Sequence, residues 1–195
     1  MNKTVLLGLL HFFICYATAN ANDQCANAVT LIPGVTCNYS SVNFTGASIS
    51  APLPTCAGNA SQDVWYKFTA TDSTARIELE AKAGLNHGFE IIEGSCTGTV
   101  LACVNSNLSG YSESYMNNQF HPGQTYFIRV FNAQAGLSTS SFGICLQTFP
   151  QPANNACTNV STLVPQASCQ FTSASLSGAS ISAPLPTCAG NASQD

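Results

Sequence analysis

Ten cysteines are the most chemically loaded residues in this 195-residue chain. Cys15 lies in an apolar N-terminal run. Cys25, Cys37, Cys56, Cys96, Cys103 and Cys145 fall between Asp23 and Phe149, and Cys157, Cys169 and Cys188 follow. Thiolates at this density either hold a metal or pair with one another. A structural zinc site draws on closely spaced Cys and His ligands. No C-x-x-C occurs here, and only His87 and His121 lie outside the apolar run. An even set of six in an exported domain reads as three disulfides. Cys96 and Cys103 flank the turn Thr97-Gly98-Thr99 and are expected to pair. The remaining four allow three connectivities, and the expected ones are Cys25–Cys56 and Cys37–Cys145. By the same pattern Cys157 pairs with Cys188, which leaves Cys169 as an orphan thiol.

The other side chains with chemical potential are sparse. Asp63, with Asp23, supplies carboxylate oxygens of the kind Ca²⁺ takes. That ion wants six to eight oxygens, and no D-x-D-x-D cluster is present. Otherwise no cofactor is expected. The competing reading of Asp63 is a loop cap that accepts backbone N–H bonds. Trp65 offers a ring for stacking on a sugar, or a ring for the core. Tyr111, Tyr115 and Phe120 lie among Asn117, Asn118 and Gln119, a mixture suited to recognising a sugar or a protein surface, or to a plain loop. Glu78 and Glu80 share one strand face and read as a solvated surface rather than a glycosidase pair facing each other across a cleft. No G-x-S-x-G elbow accompanies His87 or His121. No catalytic residue is assigned, and the chain is expected not to be an enzyme.

Only 7% of the residues are charged and 45% are hydrophobic. Beyond Lys3 the cations are Lys67, Arg76, Lys82 and Arg129, too few for the basic footprint that nucleic-acid binding requires. Met1-Asn2-Lys3, the apolar stretch from Thr4 to Ala17, and the small-x-small patterns at Ala17–Ala19 and Ala19–Ala21 read as a signal peptide over residues 1–21. The run is shorter than a membrane span, so the mature chain is expected to have no transmembrane segment and to be secreted into an oxidising space.

These side chains must be positioned by strands. Ala75, Ile77, Leu79 and Ala81 alternate with Arg76, Glu78, Glu80 and Lys82, the mark of a half-buried strand. Val64 to Ala70, Thr125 to Phe131 and Ser141 to Thr148 are further strands. Weaker ones are read at Ala28–Ile32, Cys37–Thr45, Phe89–Glu93, Val100–Val104 and Ser112–Met116. No segment sustains helical periodicity. The expected fold is all-β, a two-layer antiparallel β-sandwich. Its core should contain Tyr66, Phe68, Ile77, Leu79, Ile128, Val130, Phe142 and Ile144.

The chain also repeats itself. Residues 154–195 align with 22–63 at a constant offset of 132, without a gap, and the two copies are identical from Gly46 to Asp63 and from Gly178 to Asp195. A period this long implies an array of whole domains. The expected organisation is a complete β-sandwich repeat over 22–149, a Pro-rich linker over 150–153, and a truncated second repeat over 154–195, as in a fragment of a larger protein.

Asn22-Asp23-Gln24-Cys25-Ala26-Asn27-Ala28, Gly46-Ala47-Ser48, Asp63-Val64-Trp65-Tyr66-Lys67-Phe68, Gly94-Ser95-Cys96, Pro122-Gly123-Gln124-Thr125-Tyr126-Phe127-Ile128-Arg129-Val130 and Phe142-Gly143-Ile144-Cys145 follow one another in order. This series resembles the tandem β-sandwich repeats of secreted and surface Bacteroidetes proteins, related to the bacterial pre-peptidase C-terminal domain. The resemblance implies a jelly-roll-like sandwich serving as a non-catalytic adhesion, binding or spacer module of a larger secreted or cell-surface protein, with an extracellular carbohydrate or protein as partner. The alternative it carries is an accessory domain of a secreted hydrolase, a peptidase or glycosidase whose catalytic domain lies elsewhere. Surface attachment would then come through a region outside this fragment.

Overall fold

The structure is a computed structural model that describes residues 22–180. The expected leader and the end of the second copy, including Cys188, lie outside the described residues. Nine strands form: β1 Val29–Thr30, β2 Ser40–Asn43, β3 Gln62–Thr69, β4 Ala75–Leu79, β5 His87–Glu93, β6 Val100–Val104, β7 Glu113–Asn117, β8 Thr125–Asn132 and β9 Ser141–Thr148. Helix among the described residues is confined to two 3-10 turns, Cys25–Asn27 and Cys157–Asn159. No helix among them is long and apolar enough to cross a membrane.

The strands make two sheets, β1-β3-β8-β5-β6 and β2-β9-β4-β7. Every pairing is antiparallel except β1 on β3. From β2 onward the chain crosses between sheets at nearly every step, so the eight antiparallel strands form a jelly roll. The early strand β2 and the last strand β9 are neighbours, which makes this a fold of long-range contacts.

Period-two alternation decides which side chains meet between the sheets. Val64, Tyr66 and Phe68 of β3 point inward with Ile77 and Leu79 of β4, Ile128 and Val130 of β8, and Phe142 and Ile144 of β9, all buried. Phe68, Phe120 and Tyr126 form an aromatic cluster with ring centroids 4.8–5.5 Å apart. The Tyr66 hydroxyl donates to the Ser41 carbonyl at 3.2 Å, tying β3 to β2 of the opposite sheet.

Three disulfides cross the molecule: Cys25–Cys96, Cys37–Cys145 and Cys56–Cys103. This corrects the expected Cys25–Cys56 and Cys96–Cys103 pairs. The reason is the β5–β6 hairpin. Cys103 stands opposite Glu90 on the outer face and packs with Ala57, Ala60 and Phe131 beneath the loop that carries Cys56. Cys96 lies in the hairpin turn, where Cys25 reaches it from the first 3-10 turn. That turn is tight: a Cβ on Gly98 would stand 1.8 Å from the Glu93 carbonyl oxygen, so only glycine fits. Each disulfide joins residues 22–63 to the rest of the domain. The Cys37–Cys145 separation of 108 residues corresponds in the chain-entropy account to about 4.7 kcal/mol.

The second copy reproduces local features of the first. Its 3-10 turn, Cys157–Asn159, matches Cys25–Asn27. Gly178 has φ 77° where Gly46 has φ 74°. Ser180 N–H donates to Asn155 Oδ1 at 2.8 Å, as Ser48 N–H donates to Asp23 Oδ1 at 2.6 Å. No strand is present between 154 and 180. Cys157 and Cys169 are exposed free thiols; Cys188, the expected partner of Cys157, lies outside the described residues.

Candidate functional site

Residues 46–61 contain no regular secondary structure and run as a strap over the outer face of the five-stranded sheet. Beneath it the side chains not used by the core converge. Arg129 on β8 stands directly opposite Trp65 of β3 on one side and Glu90 of β5 on the other. Asp63, two residues before Trp65, shares their face. Arg129 Nε donates to Asp63 Oδ2 at 2.6 Å and Nη1 to the Pro52 carbonyl at 2.7 Å. Nη2 reaches Asp63 at 2.6 Å and also the Ser50 carbonyl. Glu90 Oε2 lies 3.5 Å from Nη1, and the guanidinium carbon is 5.4 Å from the Trp65 ring centroid. Asp63 accepts the Ser50 N–H at 3.0 Å and its hydroxyl at 2.9 Å. Glu90 Oε1 accepts the Thr55 N–H at 2.7 Å. Four hydrogen bonds from three buried charges thus hold the strap by its own backbone.

This arrangement places several residues singled out in the sequence. Asp63 is fully buried with Arg129 as its counter-ion. Asp23 binds the strap at Ser48. Among the described residues no group of three His, Cys, Asp or Glu side chains is placed to hold a metal ion. Trp65 is 4% exposed, packed with Ala28 and Ile92 on the outer face, and its indole N–H donates to Ser50 Oγ at 3.3 Å. It lines a cleft of about 400 Å³ together with Arg129, Glu90, Leu53 and Val100.

A larger cleft, about 670 Å³, opens where β6 and β7, the edges of the two sheets, approach each other. Tyr115 and Asn117 come from β7, Asn118, Gln119 and His121 from the loop before β8, and Glu93 and Leu101 from β5 and β6. The loop is built locally. Asn117 Oδ1 accepts the Gln119 N–H at 3.0 Å, and the Tyr126 hydroxyl accepts the His121 N–H at 2.9 Å. Phe120 is buried in the aromatic cluster and anchors the loop from below. The result is an aromatic floor ringed by two amide side chains and an imidazole exposed to solvent, with a carboxylate at one side. Few polar groups over an apolar surface fix the orientation of a small ligand. Tyr115 contributes to this cleft, whereas Tyr111, 64% exposed, does not line it. Glu93, Leu101 and Ser73 also line it and were not picked out from the sequence, because they arrive from distant strands and loops.

Two further titratable groups make structural contacts. His87 is buried, its Nε2 2.8 Å from the Glu80 carbonyl and its ring 4.6 Å from that of Phe142. The Tyr39 hydroxyl donates to Glu78 Oε1 at 2.6 Å. That hydrogen bond, with burial and the carboxylate charge adding to it, pushes the phenol up to about 12.

The fold is a jelly roll with a polar, aromatic-floored cleft where two sheet edges meet. The family model described as galactose binding domain-like, associated with the type IX secretion system, matches residues 21–144. The chain belongs to that family. A search of curated proteins found no match. Type IX association and three disulfides together point to an exported protein.

Proposed function

We propose that residues 22–149 are a non-catalytic recognition module of a larger secreted or cell-surface protein, and that the cleft between β6 and β7 binds an extracellular glycan. The observation that carries this reading is the lining of that cleft. Asn117, Asn118, Gln119 and His121 present donors and acceptors beside Tyr115, the combination that reads sugar hydroxyls over an aromatic surface. Adhesion through repeated modules and service to a secreted hydrolase both use such a cleft. The repeat at offset 132 favours adhesion, with 150–153 as a linker to a second module that starts at Asn154.

Isothermal titration against a panel of galactosides, mannosides and glucans tests the glycan reading. Binding that is lost in Tyr115→Ala and in Asn118→Ala, with unchanged thermal unfolding, supports it. No binding to any sugar in the panel, or binding untouched by both variants, refutes it.

A further inference from the structure

The cleft beside the strap shares no lining residue with the cleft between β6 and β7 and takes no part in the glycan reading. Its volume, about 400 Å³, falls within the range of small-molecule sites, roughly 300–1,000 Å³. Its surface is mostly apolar. Leu53 and Val100, 46% and 39% exposed, line it together with Ile92 and Trp65. Both cysteines of the Cys25–Cys96 bridge belong to the same wall, so the cleft is built on a cross-linked frame.

Only two charged side chains line this cleft, Glu90 and Arg129, each 3% exposed. They do not satisfy each other. Arg129 gives Nε and Nη2 to Asp63, which lies outside the lining, and donates Nη1 to the Pro52 carbonyl at 2.7 Å. Asp63 therefore holds the guanidinium as its own counter-ion. Glu90 is left over. Its Oε1 accepts the Thr55 N–H at 2.7 Å and the Thr55 hydroxyl at 3.1 Å. Its Oε2 accepts no hydrogen bond from any described residue, and its contact with Nη1 is 3.5 Å long, beyond the usual N–H···O reach of about 2.7–3.2 Å. Two carboxylates sharing one guanidinium leave one negative charge in excess. Lys67, two residues from Trp65 on the same face of β3, does not supply the balance, because it lines a different groove with Thr30 and Phe127. A buried carboxylate without full compensation is costly, and here it borders an open apolar cleft.

We propose that this cleft is a second ligand site and that it takes a small amphiphilic ammonium, a primary amine on a compact apolar body. The ammonium donates to Glu90 Oε2 and cancels the excess charge through a charge-assisted hydrogen bond. The apolar body displaces water from Leu53, Val100, Ile92 and Trp65. Each half is needed. An isosteric carboxylate meets Glu90 as a like charge, and a neutral alcohol leaves the charge uncompensated. Two sources present this chemistry, a free arylalkylamine and the amino terminus of a peptide that begins with an aromatic residue.

The test titrates the full chain with phenethylamine and, separately, with Phe-Gly-Gly. Trp65 is the single tryptophan and lines the cleft, so its emission reports occupancy, and calorimetry gives the affinity. The expected result is saturable binding of at least one amine, with 2-phenylethanol about tenfold weaker or more and 3-phenylpropionate not bound. Binding of phenethylamine alone identifies a free amine as the source; binding of Phe-Gly-Gly identifies a peptide terminus. In Glu90→Gln the preference for amine over alcohol should disappear. Because that variant could loosen the strap, Leu53→Ser is tested beside it. Leu53 is exposed, so its replacement should weaken the amine and the alcohol alike and leave thermal unfolding unchanged. No saturable binding of either amine, equal binding of amine and alcohol by the native protein, an amine preference that survives Glu90→Gln, or binding untouched by Leu53→Ser overturns the proposal. None of the probes is a sugar, so failure here is distinguishable from failure of the glycan reading.

Discussion

Replacing Arg129 by methionine asks how much the buried clamp contributes. The guanidinium is the counter-ion of Asp63, which is fully buried, and it also donates to two strap carbonyls. Methionine keeps most of the volume and removes every donor. Asp63 retains its two bonds from Ser50 but becomes an uncompensated buried charge, and Glu90 loses its neighbour. Breaking a buried pair from one side costs about 3–5 kcal/mol. The lower end applies if the strap lifts and lets water reach the carboxylates. With a urea slope of about 2 kcal/mol/M, a loss of about 4 kcal/mol moves the midpoint by about 2 M. Trp65 is the single tryptophan of the chain and lies beneath Arg129, so its fluorescence follows the transition directly. The double variant Arg129→Met/Asp63→Leu should recover part of the loss, since the unpaired charge is gone. A loss below about 1 kcal/mol, the range of an exposed ion pair, would show that the clamp does not hold the strap.

Leu79 is fully buried on β4, and Leu79→Ala should destabilise the domain by about 2–5 kcal/mol in denaturant unfolding; an unchanged midpoint would contradict its place in the core. Tyr39 has its phenol raised to about 12 by its bond to Glu78, so its contribution is fully present below pH 10 and is lost as pH rises toward 12. Tyr39→Phe should therefore flatten the fall in stability over that window, as read by thermal unfolding at stepped pH, and an identical fall in both proteins would count against it. Non-reducing digestion should recover Cys25–Cys96 and Cys56–Cys103 peptides; a Cys96–Cys103 peptide in their place would contradict the hairpin geometry.

Every strand of the sandwich could be read from the sequence to within a few residues, because alternation writes the burial of a two-layer sheet directly into residue order. Ile77 and Leu79 between Arg76 and Glu78 are the plainest case. Alternation also separated Trp65 from Val64 and Tyr66. It could not show that the outer face of β3 is covered as well, since the strap that covers it comes from residues with no periodicity. Asp63 and Arg129 are 66 positions apart, and only the β3–β8 register brings them together. Spacing favoured Cys96–Cys103 because the turn between them is short, but the choice among pairings is made by which face of β6 Cys103 occupies. The larger cleft was half legible: Tyr115, Asn117, Asn118 and Gln119 are consecutive enough to draw notice, while Glu93 and Leu101 join them only when two sheet edges meet.

The disulfide pattern has a consequence for life among proteases. Between β4 and β5 the chain passes through Glu80, Ala81, Ala83 and Gly84, all exposed, with Lys82 partly so. A cut after Lys82 lies beyond Cys25, Cys37 and Cys56 and ahead of Cys96, Cys103 and Cys145, so all three bridges span it. The severed halves stay sewn together, and the ladders β1–β3, β2–β9 and β3–β8 keep their register. Such a nick turns the domain into a two-chain protein of unchanged mass (apart from one added water), visible on a gel only after reduction.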